Sequence, residues 1–319
     1  MHVLVSVIMS AFKPSSDELH HTIESVLAQS MTEFELIIIK DDELPTTLHL
    51  IKQWLLKDSR VRMIDNEQNL GLIPSLNKGL DQAKASLIAR IDIGDTWEHD
   101  KLERQNELFM KNSQLMVCGT NLIIVDQKQS PLGSHHFPLS DAEIKKWIFK
   151  GKNPFAHPSV MFRKTDMRYN PNALYCEDYE LWCRYSILGE LINIPEQMTQ
   201  YVIDTAGITN TKRSLMIANV TKVYCSFLKT LQAKDETHLH KGLYFIPENS
   251  LSRWAVWSNQ YYSLAVLASY KQQKITTKIY FAIAAIFNPT LLVNKLQRIY
   301  CKIIFSIRNK NKINKNEDT

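Results

Sequence analysis

The chain of 319 residues carries 38 Lys and Arg against 33 Asp and Glu, a formal balance of +5, with 45% hydrophobic and 22% charged residues. That is ordinary globular composition, which excludes disorder and collagen-like structure and allows one large domain or a domain with an appendage. The excess charge sits in one place: from Lys295 onward seven basic residues face only Glu317 and Asp318, so residues 1–294 keep 31 of each sign, and a neutral body with a basic end argues against a general nucleic-acid binder.

Val3 to Met9 is a compact apolar run that predicts a first strand, and Ser15-Ser16-Asp17-Glu18 sets a serine three residues before a glutamate, a capping box that opens a helix to about Gln29. Phe34 to Ile39 reads as a buried strand, Pro45 to Lys57 as a helix opened by proline, and Val61 to Ile64 as a third strand. After Asn69-Leu70-Gly71 a helix is predicted from about Pro74 to Ala83, followed by a fourth strand over Ser86 to Ile91. Strand and helix in alternation imply parallel strands joined by crossovers, a doubly wound α/β sheet. Ligands of such sheets bind outside the carboxyl ends of the strands.

Acids gather at those ends. Strand two runs out in Lys40-Asp41-Asp42-Glu43 and strand four in Asp92-Ile93-Gly94-Asp95. A single acid after a strand is a solvated turn residue as readily as a ligand; two clusters at equivalent topological positions favour the ligand reading. A third cluster follows the proline-punctuated loop Asn153 to Arg163. There Leu181, Trp182, Tyr185 and Leu188 recur at helical spacing, placing Glu177 and Asp178 in the first turn of an amphipathic helix. Carboxylates there cap the helix, and Asp178, three and four residues before Leu181 and Trp182, also shares their face.

Five stretches taken in order resemble the successive motifs of family 2 glycosyltransferases. They are Ser6 to Phe12, Asn69-Leu70-Gly71 with Leu76-Asn77-Lys78-Gly79, Ile88 to Asp95, His157 to Arg163, and Cys176 to Trp182, a span of about residues 3–205. The bacterial enzymes of exopolysaccharide, capsule and O-antigen synthesis, the amylovoran-type group among them, are the nearest in flavour. The resemblance implies a GT-A fold with a mostly parallel sheet, a nucleotide-diphosphate sugar donor, a saccharide or lipid-linked saccharide acceptor, a divalent metal (Mg2+ or Mn2+) and inversion at the anomeric carbon. By similarity Asp41 or Asp42, Asp41 first, would read the base, with Ser10 and Asn69 also on the nucleotide-sugar side. Asp92 and Asp95 would meet ribose, metal and diphosphate. Arg90 is either a diphosphate contact or a partner for a loop carboxylate. Inversion in one displacement needs a base on the opposite face of the sugar, which the resemblance places on Asp178, with Glu177 orienting it or binding acceptor. His157 and Trp182 would lie on the acceptor side, His157 alternatively holding its loop.

Two departures stand out. The third position of the strand-four motif, usually an acid, is Gly94, which leaves Asp95 to substitute as metal ligand; the strand-two motif lacks its usual Gly-Ser. A rival reading follows, a non-catalytic sugar-nucleotide or glycan-binding protein that kept the fold and lost the metal site.

The domain reading is a catalytic region over 1–211, split into a nucleotide-sugar half (1–125) and an acceptor half (126–211), then a helical region (212–308) and a basic disordered end (309–319). In the helical region Trp254 and Trp257 read as packing residues ahead of sugar stacking. Leu292, Leu296, Ile299, Ile303 and Ile307 form one stripe, with Lys295, Arg298, Lys302 and Ser306 along another. That is the pattern of a helix lying on an anionic membrane surface, or equally of one packed on the domain. Five cysteines without a CxxC pair point to core thiols in a reducing compartment, with neither a zinc ribbon nor a disulfide framework. The first residues lack the features of a signal peptide. The longest apolar run near the C-terminus, Ile279 to Phe287, has nine residues against the roughly 20 a spanning helix needs. These features together place the chain in the cytoplasm, peripheral on the inner membrane.

Overall fold

Strand β2 (Phe34–Lys40) is buried along its whole length, which a run of Leu and Ile tolerates only with both faces of the sheet covered. The computed structural model describes residues 2–203, 211–233, 236–245, 269, 273–287, 294, 296–303 and 305. These divide into two compact units: the first holds residues 1–146, 153–169 and 185–202, the second 147–152, 170–184 and the chain from 203 on.

In the first unit the predicted alternation is present: β1 (Val5–Ala11), α1 (Ser16–Leu27), β2, α2 (Pro45–Lys57), β3 (Val61–Asp65), α3 (Leu72–Gln82) and β4 (Leu87–Arg90). Ser15 caps α1 as read: its hydroxyl accepts the Glu18 N–H while the Glu18 carboxylate accepts the Ser15 N–H. Helix α3 begins two residues before the predicted start, because Gly71 at φ +89 turns the chain into it. Pro74 thus sits in the first turn, where its missing N–H costs little. Strand β1 pairs in parallel with β2 and β4, and β2 with β3.

Past β4 the sheet is mixed. The elements are β5 (Thr96–Trp97), α4 (Lys101–Lys111), β6 (Leu115–Val125), β7 (Pro131–His135), α5 (Asp141–Ile148), a 3-10 turn at His157–Ser159, β8 (Met161–Arg163), α6 (Glu177–Leu188) and β9 (Glu190–Val202). The order is β3-β2-β1-β4-β8-β6-β9-β5, with β7 on β6. Strand β8 runs antiparallel to both β4 and β6, whereas β6 and β9 are parallel. Antiparallel neighbours need no crossover helix, so strict alternation ends where β8 enters. The doubly wound half is therefore the first four strands.

One face of that half packs Val5, Val7, Met9 and Ala11 of β1 and Leu36 and Ile38 of β2 against Leu19 and Ile23 of α1, Ile51 of α2 and Leu102 of α4. On the other face α3 sits on Ile8 and Ile39. A Cβ at Gly79 would lie 2.7 Å from Ile8 Cγ2 and 3.1 Å from Ile39 Cδ1, so only glycine permits that approach.

The second unit is organised around a buried ion pair. Arg184 and Glu180, one helical turn apart on α6 and both fully buried, meet at 2.7 Å. The other Glu180 oxygen accepts the Leu243 N–H at 2.7 Å and the Asn170 amide at 3.1 Å. Charges this deep persist only when paired and hydrogen-bonded. Helices α7 (Arg213–Ala233), α8 (Glu236–Lys241) and α9 (Lys274–Phe287) also belong to it. Among the described residues no helix is long and apolar enough to cross a membrane.

Two expectations need correction here. The cysteines are not all thiols: Cys225 on α7 is joined to Cys301, while Cys118, Cys176 and Cys183 are buried thiols. Their separation of 76 residues is why spacing carried no sign of the pair. Nor is the basic stripe of the C-terminal segment intact. Residues 296–303 are helical, and Arg298 turns inward, its guanidinium donating to Gly151 O at 3.0 Å. Phe305 lies against Phe149 at 6.3 Å, and the face toward the unit is thus Arg298, Cys301 and Phe305. Leu296, Ile299, Tyr300 and Ile303, at i, i+3, i+4 and i+7, are 46–65% exposed. Leu292, Lys295, Ser306, Ile307, Trp254, Trp257 and the 309–319 end lie outside the described residues.

Candidate functional site

The carboxyl ends of β1, β2, β3 and β4 share one edge of the first unit. Beyond β2, Asp41 and Asp42 are both buried, at 2% and 1% exposure, yet they differ in use. Asp42 is spent on its own loop: it accepts the Lys13 N–H at 2.7 Å, the Leu44 N–H at 2.8 Å and the Thr47 hydroxyl at 2.8 Å. Asp41 takes both its bonds on Oδ1, from the Asn66 amide at 2.9 Å and the Leu70 N–H at 2.8 Å. Its Oδ2 makes no hydrogen bond among the described residues and is the oxygen available to a ligand N–H. Of the two candidates for base recognition, the geometry favours Asp41. Asn66 is itself fixed by donating to Ser75 Oγ and by accepting from Lys78 Nζ, each at 2.8 Å. Ser10, on β1 opposite Ile39 of β2, stands beside this group. Asn69 is exposed and closes the turn before α3, accepting the Gly71 N–H at 2.9 Å.

At the end of β4, Arg90 is buried to 1% exposure and forms an ion pair with Asp92, whose side chain is 43% exposed. A buried guanidinium neutralised by the loop carboxylate thus lies beneath Asp92. Asp95 is 3% exposed, and its Oδ1 accepts the Val202 N–H at 2.9 Å. Burial, then the neighbouring Asp92, push its carboxyl well above the ordinary range. The loop between them is clamped by Thr22 of α1, which accepts the Gly94 N–H and donates to Asp95 O, both at 2.9 Å.

His157 is buried beside Arg90, with its Nε2 at 2.9 Å from the Tyr169 hydroxyl. Burial, then the Arg90 charge, drive its imidazole well below the usual histidine range, so it is neutral near pH 7. Tyr169 is held in turn by Asn77, which accepts the Tyr169 N–H at 2.8 Å and donates to its carbonyl at 2.9 Å. His157 is thus linked through Tyr169 to Asn77 of α3.

The remaining candidates belong to the second unit. Asp178, part-buried in the first turn of α6, accepts the Tyr179 N–H at 2.7 Å, and Glu177 beside it is 9% exposed. Trp182 is fully buried, so it acts by packing and presents no ring face to an acceptor.

The expected metal set of Asp92 and Asp95 does not match a resident divalent cation. Hard cations want several oxygens, whereas Gly94 supplies none, Asp95 is buried with Oδ1 on the Val202 N–H and Oδ2 enclosed by protein, and Asp92 is already paired with a guanidinium. Among the described residues no group of three or more His, Cys, Asp or Glu could hold a metal. Residue-type reasoning missed Asn66, Thr22 and Tyr169. Asn66 follows the third strand just as Asp41 follows the second, and that equivalence was the usable signal.

A profile described as glycosyl transferase family 2 matches residues 6–177, more than half of the chain. An uncharacterised glycosyltransferase of Haemophilus influenzae is 28% identical over 62% of this chain, a match that spans 65% of that protein's own length. The amylovoran biosynthesis glycosyltransferase AmsE of Erwinia amylovora is 28% identical over 60% of this chain and 74% of its own. An Escherichia coli protein named UDP-Glc:alpha-D-GlcNAc-diphosphoundecaprenol beta-1,3-glucosyltransferase WfgD is 31% identical over 66% of this chain and 81% of its own. Among solved structures, Staphylococcus aureus TarS 1-349 in complex with UDP superposes with a TM-score of 0.55 at 12% identity, covering 97% of this chain and 92% of that one. The mannosyltransferase PcManGT of Pyrobaculum calidifontis, in complex with GDP-Man and Mn2+, gives 0.52 at 12% identity over 97% and 87%. At such identity the two structures establish a shared fold, the GT-A fold.

The buried histidine sets a pH expectation. Because its folded pKa lies below the unfolded value of about 6.5, the unfolded chain takes up the proton first, and His157 withdraws stability as pH falls below that value. The imidazole 15N shifts of His157 should therefore stay those of a neutral ring from about pH 8 down through 6.5; a midpoint at or above 6.5 would contradict its placement.

Proposed function

We propose, for a chain that belongs to glycosyl transferase family 2, that it is an inverting enzyme moving a sugar from a nucleotide-diphosphate donor to a hydroxyl of a lipid-linked saccharide during surface polysaccharide synthesis. The observation that carries the donor side is Asp41 Oδ2, presented at the sheet edge by Asn66 and Leu70, with Asp92 held up by Arg90 one strand beyond β1. A carboxylate oxygen of this kind accepts an imide or amide N–H of a base, and a second one accepts ribose hydroxyls. Uridine diphosphate sugars, named for WfgD and present with TarS, are the first donors to try. The acceptor class is supported by the diphosphoundecaprenol substrates named for two Escherichia coli relatives. In this reading residues 1–125 form the donor half and 126–211 the acceptor half.

The reaction is one displacement. Asp178 takes the proton of the acceptor hydroxyl as that oxygen forms its bond to the anomeric carbon. The bond to the nucleoside diphosphate breaks on the opposite face, its electron pair leaving with the phosphate. Glu177 orients Asp178 or binds acceptor. No step is routed through a metal.

The exposed Leu296, Ile299, Tyr300 and Ile303, with Lys302 among them, support attachment to anionic lipid, which would bring the enzyme to a lipid-linked substrate. The cytoplasmic, peripheral placement belongs to this proposal and rests on the lipid-linked acceptor alone, since the Cys225–Cys301 link removes the argument from thiols.

Two outcomes test it. Asp178→Asn keeps the shape and removes the base, so transfer should fall by about 10²–10⁴-fold while affinity for UDP holds; transfer at the wild-type rate sinks the assignment. The pair Ile299→Asp and Ile303→Asp should release the protein from phosphatidylglycerol vesicles in flotation, and unchanged flotation would make the face a solvent-exposed one.

A further inference from the structure

The loop after β4 is chemically unlike a cation-assisted diphosphate site, and the difference lies in its charge. A diphosphate approaching two or three clustered carboxylates is repelled until a divalent cation screens them. Here the cluster has been dismantled residue by residue. Gly94 stands where the family pattern has an acid, and its φ of +98 with open space around the position of a Cβ shows a backbone turn with no side chain doing a ligand's work. Asp95 is turned into the protein: it is 3% exposed, its Oδ1 is bonded to the Val202 N–H, and its backbone is clamped by Thr22. Asp92 alone reaches the crevice, with its charge already matched by Arg90 in direct contact.

The consequences for a cation and for an anion are opposite. A divalent ion drawn to Asp92 would meet a carboxylate whose charge the buried Arg90 already offsets, so its attraction is weakened. A diphosphate, by contrast, would meet a carboxylate and guanidinium that sum to zero and would not need a metal to enter. Asp92 then remains an acceptor for ribose hydroxyls, oriented by its partner. From this geometry we infer that the enzyme binds its nucleotide-diphosphate donor without a divalent cation. Arg90 thereby serves as a built-in counter-charge to Asp92. The inference rests on the donor reading given above.

Calorimetric titration of the full chain with UDP, or with GDP if UDP does not bind, tests it, once in EDTA and once in saturating Mn2+. The two dissociation constants should agree within about threefold, and the Mn2+ electron paramagnetic resonance signal of a UDP solution should be unchanged by adding the protein. Tightening by Mn2+ of more than about threefold, or loss of the Mn2+ signal on adding protein, overturns the inference while leaving the donor reading standing. Absence of UDP and GDP binding in both buffers sinks the donor reading, and the inference with it.

Discussion

A guanidinium buried at the last residue of a central strand must be neutralised, and much of the candidate site follows from how that is done. Arg90 closes β4, between β1 and β8, with almost no solvent contact. Left alone it would be prohibitively costly, and a unit charge of opposite sign about 4 Å away contributes about 4 kcal/mol at an effective dielectric near 20. Asp92 is that charge. The pairing holds a carboxylate at the mouth of the crevice and cancels its net charge there. The adjacent His157 is kept neutral by its own burial first and by the guanidinium charge second. The loop that carries Asp92 is fixed at its far end by Thr22 and by the Asp95 bond to Val202, so little freedom remains for the acid to wander.

The β2 edge solves a related problem differently. Lys40, buried at the end of its strand, is met by Asp65 at 3.1 Å and by the Asp42 carbonyl. Asp42 spends its oxygens on backbone N–H groups, and Asp41 has one oxygen used and one presented. Two adjacent aspartates of identical type thus take unlike roles because the turn after β2 directs one into the loop and the other toward Asn66. Membership of a glycosyltransferase family gives these positions meaning, while their geometry decides which acid is structural and which is presented.

Periodicity made β1 to β4 and their helices legible, since the apolar runs, the Ser15–Glu18 box and Pro45 all act locally. The turn at Gly71 and the antiparallel entry of β8 depended on a glycine at positive φ and on pairing across distant segments, neither of which leaves a local trace. At the site, Asp41, Asp92 and Asp95 could be found from their place after strands. What a sequence does not show is direction: Asp95 faces inward to Val202, Trp182 is packed away, and Arg90 lies beneath the acids. In the second unit the apolar stripe was legible from its spacing. The inward turn of Arg298 was not, because it depends on the Gly151 carbonyl 147 residues earlier, nor was the Cys225–Cys301 link.

The central claim is that the donor nucleotide lies at the carboxyl ends of β1, β2 and β4, between Asp41 and Asp92. Hydrogen exchange of the full chain with and without UDP, read by mass spectrometry, addresses it directly, because the Leu70 N–H is held by Asp41 and the Gly94 N–H by Thr22. Slower exchange in the segments 69–71 and 92–95 when UDP is added is the predicted result. Protection confined to other segments, or no protection at a UDP concentration that saturates binding, would contradict it.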